Sequence, residues 1–404
     1  MLALVIAVVP PARANGQTSH QGITVDAIGR VADEGLAELL ARDDVRDALL
    51  NGTMFPDGGY AVDDGYGELA HWEPTQDAYL DWIVANHPPP FDDEGAQHVA
   101  FLLGLRSHGM ADQFYDATYM ERSRAYDPAE SWACCSMDEA TDVAFAVRRG
   151  AGTVPAPWWP DSLIESFAAQ GHTVAGGTID DGMALLGVAI WGVGRLAENP
   201  DAVAEYEALF PWACAHQFDP RAVGRPEHEA EVVAAYWKVT WDRLNGATGW
   251  ESPVIHTFPP AGGTVAARGA DDLDARLEVV FAKGLDPDSV TAQTVTVTDA
   301  SGAAHPVAPH VFYGWNSHVV NIAPEADWAA DTDYVLTLHP GIRTFDGYTL
   351  DAAIEVAFTT RAPVDDDTSD PVDDAPAGCG CGSGTPVGLV TVALGALALR
   401  RRAR

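Results

Sequence analysis

A nearly continuous apolar run with two metal-ligand-type side chains occupies residues 101–112: Phe101-Leu102-Leu103-Gly104-Leu105-Arg106-Ser107-His108-Gly109-Met110-Ala111-Asp112. We predict that this run is a central helix, buried on most sides. A step of four residues returns to nearly the same helix face, so His108 and Asp112 would point together into the packing. A divalent metal ion would offset the cost of burying them, because both side chains are ordinary zinc ligands.

The order of the surrounding candidate ligands adds weight to this pair. The spacing alone is weak evidence, since 13 His and 59 acidic residues make such pairs common by chance. The other candidates are Ser19-His20, Phe55-Pro56-Asp57, His71-Trp72, Asp116, and Cys134 with Asp138. This order resembles the zinc-dependent phospholipase C family over residues 15–240, and most resembles the N-terminal catalytic domain of glycosylphosphatidylinositol-specific phospholipase D. The fungal single-strand nucleases are more distantly similar.

The resemblance implies an all-α, zinc phospholipase C/nuclease-like helical domain over residues 15–250, with two or three Zn²⁺ ions. The implied ligands of the first two ions are His20, Asp57, His71, His108 and Asp112. By the same resemblance, Asp112 would bridge the two ions. Asp57 would also be the catalytic group that orients or deprotonates the attacking water. Residues 57–67 are rich in Gly and Asp, which predicts an active-site loop.

The third metal site departs from the family pattern. Asp116 and Cys134 stand where the family places His, although Cys and Asp are also zinc ligands, as is Asp138. Three cysteines lie outside the C-terminal tail, and an odd number leaves one thiol over in an exported protein. A metal-bound Cys134 and a disulfide between Cys135 and Cys214 would account for all three. The alternative is that Cys134 is disulfide-bonded and this metal is lost.

The N-terminal residues predict export. Residues 1–14 contain a short apolar core followed by Ala12-Arg13-Ala14, which is typical of a signal peptide whose start is truncated. Cleavage after this motif would make Asn15 the mature N-terminus. By resemblance to the nucleases, the amine of Asn15 is then a further candidate ligand.

The C-terminal part predicts a second domain and a tail. Short β runs separated by turn signals begin after Ser252-Pro253, at residues 277–281, 294–298, 318–322, 334–338 and 354–358. They predict an all-β immunoglobulin-like sandwich over residues 251–361, similar to bacterial immunoglobulin-like modules of surface proteins, with no candidate site residue. Residues 362–377 predict an acidic disordered linker. Residues 378–404 resemble the Cys-containing sorting tail of myxobacterial surface proteins, a permanent membrane anchor being the alternative.

The net charge of −36 argues against binding nucleic acid or anionic membranes by simple electrostatics. We therefore expect a secreted, cell-surface zinc phosphodiesterase that hydrolyses phospholipid or glycosylphosphatidylinositol-type diesters through zinc-activated water. Its expected partners are a phospholipid or glycolipid substrate, a transiently contacted membrane surface and the machinery that processes the tail. The alternatives are a zinc-dependent single-strand nuclease, and a degenerate, metal-stabilised adhesion protein without activity.

Overall fold

The computed structural model describes residues 15–267, 273–314 and 316–362. The predicted signal peptide, the sorting tail and all but the first residue of the acidic linker lie outside these ranges. The described part consists of a helical region followed by a β-sandwich. None of its helices combines the length and the apolar character needed to span a lipid bilayer.

Fourteen α-helices make up the helical region within the described residues. They are α1 (Gln17–Ile28), α2 (Glu34–Leu40), α3 (Arg46–Ala61), α4 (Tyr66–His71), α5 (Glu73–Asn86), α6 (Asp93–Tyr115), α7 (Glu121–Tyr126), α8 (Ala129–Cys134), α9 (Met137–Arg149), α10 (Ser162–Ala169), α11 (Gly176–Ala197), α12 (Pro200–Leu209), α13 (Pro211–His216) and α14 (Pro226–Leu244). A π-helical turn, Asp116–Met120, continues directly from α6.

Helix α6 is the central helix, and its residues from 98 to 115 are all buried. Its backbone approaches that of α3 very closely. A Cβ on Gly104 would lie 2.1 Å from the carbonyl oxygen of Leu49, and one on Gly52 would lie 2.1 Å from that of Phe101. Since a side chain at either position would collide with the opposing backbone, the two glycines let these helices touch.

The fully buried guanidinium of Arg106 ties α6 to its neighbours. It donates to the carboxylate of Asp77 on α5 and, over 3.1 Å, to the hydroxyl of Thr240 on α14. It also lies 5.2 Å from the ring centre of Tyr236. Asp77 accepts a second hydrogen bond from Arg243, so each buried charge has a partner of opposite sign.

The segment at residues 57–67 is not a loop throughout, which corrects the sequence prediction. Helix α3 continues past Pro56 to Ala61, and α4 begins at Tyr66. A Cβ on Gly59 would lie 2.2 Å from the amide nitrogen of Gly67. The glycines therefore serve close packing of α3 against α4.

The sandwich contains nine strands within the described residues. They are β1 (Val254–Phe258), β2 (Gly263–Ala266), β3 (Leu277–Phe281), β4 (Val295–Asp299), β5 (Ala304–His305), β6 (Val307–Val311), β7 (Val319–Pro324), β8 (Asp333–Leu338) and β9 (Ile354–Arg361). One sheet has the order β1-β3-β7-β6 and the other β2-β9-β8-β4-β5. Only the described pair β2–β9 is parallel. The five predicted β runs overlap β3, β4, β7, β8 and β9.

One face of the sandwich shares a hydrophobic core with the helices. Phe258, Val280 and Val319 pack in the same buried cluster as the apolar residues of α6. The rings of Phe114 and Phe258 lie 5.1 Å apart. This shared core holds the sandwich against the C-terminal end of α6.

Candidate metal centre

Five of the sequence-predicted ligands converge on one buried point, which we call the His–Asp cluster: His20, Asp57, His71, His108 and Asp112. They come from four helices, α1, α3, α4 and α6. Each is at most 9% exposed. The close packing of α3 on α6 and of α4 on α3 brings residues distant in sequence together.

The cluster divides into two overlapping groups of possible metal ligands. One contains His20, His108 and Asp112, the other Asp57, His71 and His108, and within each group the ligand atoms lie within 4.8 Å of one another. Oδ1 of Asp112 is 3.0 Å from Nε2 of His20, while its Oδ2 is 3.2 Å from Nε2 of His108. Asp112 thus offers one oxygen to each side, as a bridging carboxylate would.

Asp57 closes the second group. Its Oδ1 lies 3.6 Å from Nε2 of His71 and 3.7 Å from Nε2 of His108. Its other oxygen accepts a hydrogen bond from the side-chain amide of Gln17 on α1. One carboxylate oxygen is therefore held by the protein, while the other faces the imidazoles.

The donor atoms of the cluster fit a divalent cation. Nδ1 of His71 lies 2.6 Å from the carbonyl oxygen of Gly67, and Nδ1 of His108 lies 2.7 Å from that of Thr53. A carbonyl only accepts, so in each neutral ring Nδ1 carries the proton and Nε2 presents a lone pair. These two Nε2 atoms are only 2.9 Å apart.

The carboxylates add two further unsatisfied acceptors to the same space. Oδ1 of Asp57 and Oδ2 of Asp112 are buried and have no hydrogen-bond partner within the described part of the chain. Buried polar atoms are nearly always satisfied. A cation between these oxygens and the paired Nε2 atoms would satisfy all of them at once.

The electrostatics of the cluster favour positive charge. Burial lowers the pKa of His20 and of His71, but the adjacent carboxylates outweigh it and raise both. Burial and the neighbouring His20 lower the pKa of His108. Burial raises the pKa of Asp57 and Asp112, but the surrounding imidazoles reverse this and lower both. The carboxyls are therefore ionised, and they stabilise a cation beside them.

Asp142 positions His20 from outside the cluster. Its carboxylate accepts hydrogen bonds from the backbone N–H of Thr18 over 3.1 Å and of Ser19 over 2.6 Å, at the first turn of α1. A Cβ on Gly16 would lie 2.2 Å from its Cγ, so only glycine fits there. This contact fixes the start of the helix that carries His20.

Asn15 and Glu229 lie beside the His20 side of the cluster. The backbone nitrogen of Asn15 is 3.3 Å from Oδ1 of Asp112, and its side-chain amide donates to Glu229 on α14. Burial, with Asp112 and Asp116 nearby, raises the pKa of Glu229 well above its usual range. Sequence reasoning missed Glu229, because the first turn of an amphipathic helix is an ordinary place for an exposed acid.

Two of the three predicted ligands of the third ion, Cys134 and Asp138, join no group of possible metal ligands among the described residues. Cys134 and Cys135 form a disulfide with each other, so the predicted pairing of Cys135 with Cys214 is wrong. A disulfide sulfur is not a thiolate, so Cys134 as a metal ligand is also contradicted. Cys214 is a free thiol whose pKa is raised by burial to about 12. Asp138 is half-buried and joins no group of possible metal ligands among the described residues.

Asp116, a predicted ligand of the third ion, lies next to a tyrosine of the sandwich. It lies one helical turn beyond Asp112, is buried, and accepts a hydrogen bond from the hydroxyl of Tyr313. Tyr313 follows β6, so the sandwich does contribute a residue next to the cluster. Nothing in the alternating β pattern distinguishes this tyrosine from others at strand ends.

A second group of possible ligands lies away from the cluster. It contains His87, Glu94 and His98 near the junction of α5 and α6. Nδ1 of His98 is 2.7 Å from the hydroxyl of Tyr79. Burial and the adjacent His87 lower the pKa of His98 to about 4, so this ring is neutral at pH 7.

Comparison with known proteins supports two separate similarities. Residues 251–360 match the bacterial Ig-like domain, a module typical of surface and exported proteins. The chain is also 38% identical over 81 residues to phosphatidylinositol-glycan-specific phospholipase D of Bos taurus, which is 19% of this chain and 9% of that protein. It is 28% identical over 118 residues to the Dictyostelium discoideum protein of the same description, which is 28% and 12% of the two lengths.

These relatives are much longer than the matched stretch, which spans about a tenth of their length. Among solved structures, CopC from Methylosinus trichosporium OB3b matches 27% of this chain and 92% of that chain, at 16% identity and a TM-score of 0.21. That score is too low to support a structural argument. Residues 251–360 thus match the bacterial Ig-like domain, and a stretch of the chain is similar to phosphatidylinositol-glycan-specific phospholipase D.

Proposed function

We propose that this protein is an exported, zinc-dependent phosphodiesterase that hydrolyses phospholipid or glycosylphosphatidylinositol-type diesters. The observation that carries the proposal is the convergence of three imidazoles and two carboxylates on one buried point, with unsatisfied acceptors facing each other. The partial similarity to phosphatidylinositol-glycan-specific phospholipase D supports the substrate class. The Ig-like domain supports export.

Zinc bound in the cluster would acidify a water molecule and neutralise charge on the phosphoryl oxygens. The protein itself holds the metal ligands in a fixed orientation before the ion binds. The carbonyl oxygens of Thr53 and Gly67 orient His108 and His71 through their Nδ1 atoms. Such outer contacts fix both the tautomer and the ring direction of a ligand.

Asp57 is the candidate for accepting a proton from the attacking water. Its lowered pKa keeps it ionised, because the imidazoles of His108 and His71 outweigh the effect of burial. The amide of Gln17 fixes one of its oxygens, so the other keeps a constant direction towards the imidazoles. A general base must be held in position relative to the proton it accepts, and the hydrogen bond from Gln17 restrains the carboxylate of Asp57 in this way.

Metal analysis of the purified full-length protein, combined with a substrate panel, tests the proposal. We expect at least two zinc ions per chain and hydrolysis of phosphatidylcholine, phosphatidylinositol or a glycosylphosphatidylinositol-anchored reporter. His108→Ala should lose both zinc and hydrolysis, because His108 belongs to both ligand groups. His216→Ala is the matched control, because Nδ1 of His216 lies 2.8 Å from the carbonyl oxygen of Trp212 and His216 belongs to no group of possible metal ligands among the described residues.

The outcomes separate the competing functions. Cleavage of denatured DNA without cleavage of the lipids would replace the proposal with a single-strand nuclease. A protein with one zinc ion or none, and with no hydrolysis, would favour an adhesion role. Full activity of the His108→Ala variant would end the proposal of a metal-dependent reaction at this cluster.

A further inference from the structure

The rim of the metal centre is built from aromatic side chains joined by one carboxylate. The ring of Tyr60 stacks on His71, with 5.0 Å between ring centres. Tyr60 and Trp72 each donate a 2.7 Å hydrogen bond to the carboxylate of Glu68. The ring of Trp72 meets that of Tyr313 edge to face at 5.4 Å. We call Tyr60, Trp72 and Tyr313 the aromatic rim.

Tyr313 is the member of the aromatic rim that the sandwich supplies. It is 41% exposed, so part of its side chain is accessible to a ligand. Its hydroxyl is held at the inner end by Asp116, one helical turn from the bridging Asp112. The side chain therefore reaches from solvent to the edge of the His–Asp cluster.

The sandwich is anchored next to the segments that carry the cluster, so the position of Tyr313 is fixed. The anchoring hydrogen bonds run from Gly284 N to Glu73 Oε2 (2.9 Å), from His318 N to Gln113 Oε1 (3.0 Å) and from Asn321 Nδ2 to Ala117 O (2.9 Å). Each acceptor directly follows a rim residue, a cluster residue or Asp116 in the sequence. A wall held this way does not need a ligand to assemble it.

We propose that the sandwich forms one wall of the substrate site, where the ring of Tyr313 binds the headgroup attached to the reacting phosphate. This inference rests on the proposed function and concerns the part of the substrate outside the metal centre. Aromatic faces bind the apolar side of a hydroxyl-rich ring and also the methyl groups of a cationic headgroup. Both chemistries need the flat, partly exposed surface that Tyr313 and Trp72 present.

The test compares Tyr313→Ala with wild type in the full-length, zinc-loaded protein. Binding is measured by calorimetry with two non-hydrolysable phosphonate lipids, one with an inositol and one with a choline headgroup. Hydrolysis is measured with bis(para-nitrophenyl) phosphate, which carries neither headgroup. The control is Tyr348→Ala, which removes a half-buried sandwich ring that packs on Trp250 and Lys283.

We expect Tyr313→Ala to weaken binding of at least one phosphonate lipid by about tenfold or more. Its zinc content should match wild type, and its loss of small-diester hydrolysis should be smaller than its loss of headgroup binding. The control Tyr348→Ala should match wild type in zinc content, hydrolysis and binding. Tyr313→Phe keeps the ring and should weaken binding less than Tyr313→Ala. The affected headgroup identifies which of the two chemistries the wall recognises.

Two results would overturn the inference. One is unchanged affinity of Tyr313→Ala for both phosphonate lipids. The other is a parallel loss of zinc, small-diester hydrolysis and binding, which would make Tyr313 a structural residue. A wild-type protein that binds zinc but hydrolyses nothing would count against the proposed function, while the calorimetry would still decide whether the wall exists.

Discussion

The His–Asp cluster and the Cys134 segment (Cys134–Asp138) were both predicted from one ordered set of residues, yet only the cluster assembles. The cluster residues lie on helices whose backbones are in contact, and all five are buried. Cys134 is exposed at the end of a six-residue helix, and Asp138 is half-buried. A buried polar side chain needs a partner within the protein, whereas an exposed one can form hydrogen bonds with water.

The vicinal disulfide shows the same contrast. Cys134 pairs with its sequence neighbour, which needs no tertiary structure to bring the two together. Asp112, in contrast, faces side chains from α1 and α4 that are distant in the chain. Ligand order is therefore informative where the core positions the ligands, and it is much less informative at the periphery.

The largest expected effect comes from Asp112, the carboxylate that faces both groups of possible metal ligands. Asp112→Asn should lower hydrolysis by more than about 100-fold. Replacing a residue that only orients a metal ligand lowers activity by up to about 100-fold, and loss of a ligand itself should have a larger effect. Zinc content should fall as well, since Asp112 faces both ligand groups. Rates and elemental analysis of the purified variant check this. A variant with the zinc content of the wild type would show that Asp112 is not needed to bind the metal.

The second-largest effect is expected from a substitution that separates α3 from α6 beneath the cluster. Gly104→Ala would place a Cβ 2.1 Å from the carbonyl oxygen of Leu49, so α3 and α6 must separate. We expect the free energy of unfolding to fall by about 3 kcal/mol, as for an overpacked core. Denaturant titration measures this.

A glycine on an open helix face gives the matched control. Gly192 lies in α11, and a Cβ there would meet nothing within 4 Å. Gly192→Ala should therefore stabilise the protein by about 0.5–1 kcal/mol, through reduced backbone freedom of the unfolded chain. Equal changes in the two variants would refute the backbone contact as the basis of the cluster.

The pH dependence of stability tests the contact between the sandwich and the helical region. Glu278 on β3 is buried against Arg122 of α7, and burial raises its pKa from 4.5 to about 7, although Arg122 partly opposes this. The folded state thus binds this proton more tightly than the unfolded chain. The resulting stability is complete below pH 4.5 and is lost as pH rises through 7.

Glu278→Gln removes this titration. Between pH 4.5 and 7, we expect the free energy of unfolding of the wild type to fall by about 3 kcal/mol relative to the variant. Denaturant titrations of both proteins across this range measure the difference. The control is Glu355→Gln, which removes the carboxyl group of an exposed sandwich residue. A flat difference for Glu278→Gln would contradict the burial of an ionisable group at the interface.

The smallest effect is expected at the Cys134 segment. Replacing Cys134 and Cys135 together by Ser should leave zinc content unchanged and activity within about twofold, as for other surface substitutions. The loop that this disulfide closes is too short to constrain the unfolded chain appreciably. Loss of one zinc ion in the double variant would restore the Cys134 segment as a metal site and erase the contrast with the cluster.

The helical region and the sandwich could be predicted from the amino-acid pattern, and the resemblance to a known family indicated the five residues of the cluster. The helices and strands were predicted from the periodicity of apolar residues. The cluster residues were predicted because their order along the chain resembles that of a known family. The i to i+4 step from His108 to Asp112 is a property of one helix, so it could be predicted without knowing its neighbours.

The partners of the remaining groups could not be predicted without the three-dimensional fold. Asp142 binds the start of α1, Glu229 turns inward beside Asn15, and Tyr313 reaches Asp116 from a different domain. These contacts join residues 123, 214 and 197 positions apart, so no local pattern encodes them. The physical reason is that a polar side chain's partner is whichever group packing brings within hydrogen-bond distance, and packing depends on the whole chain.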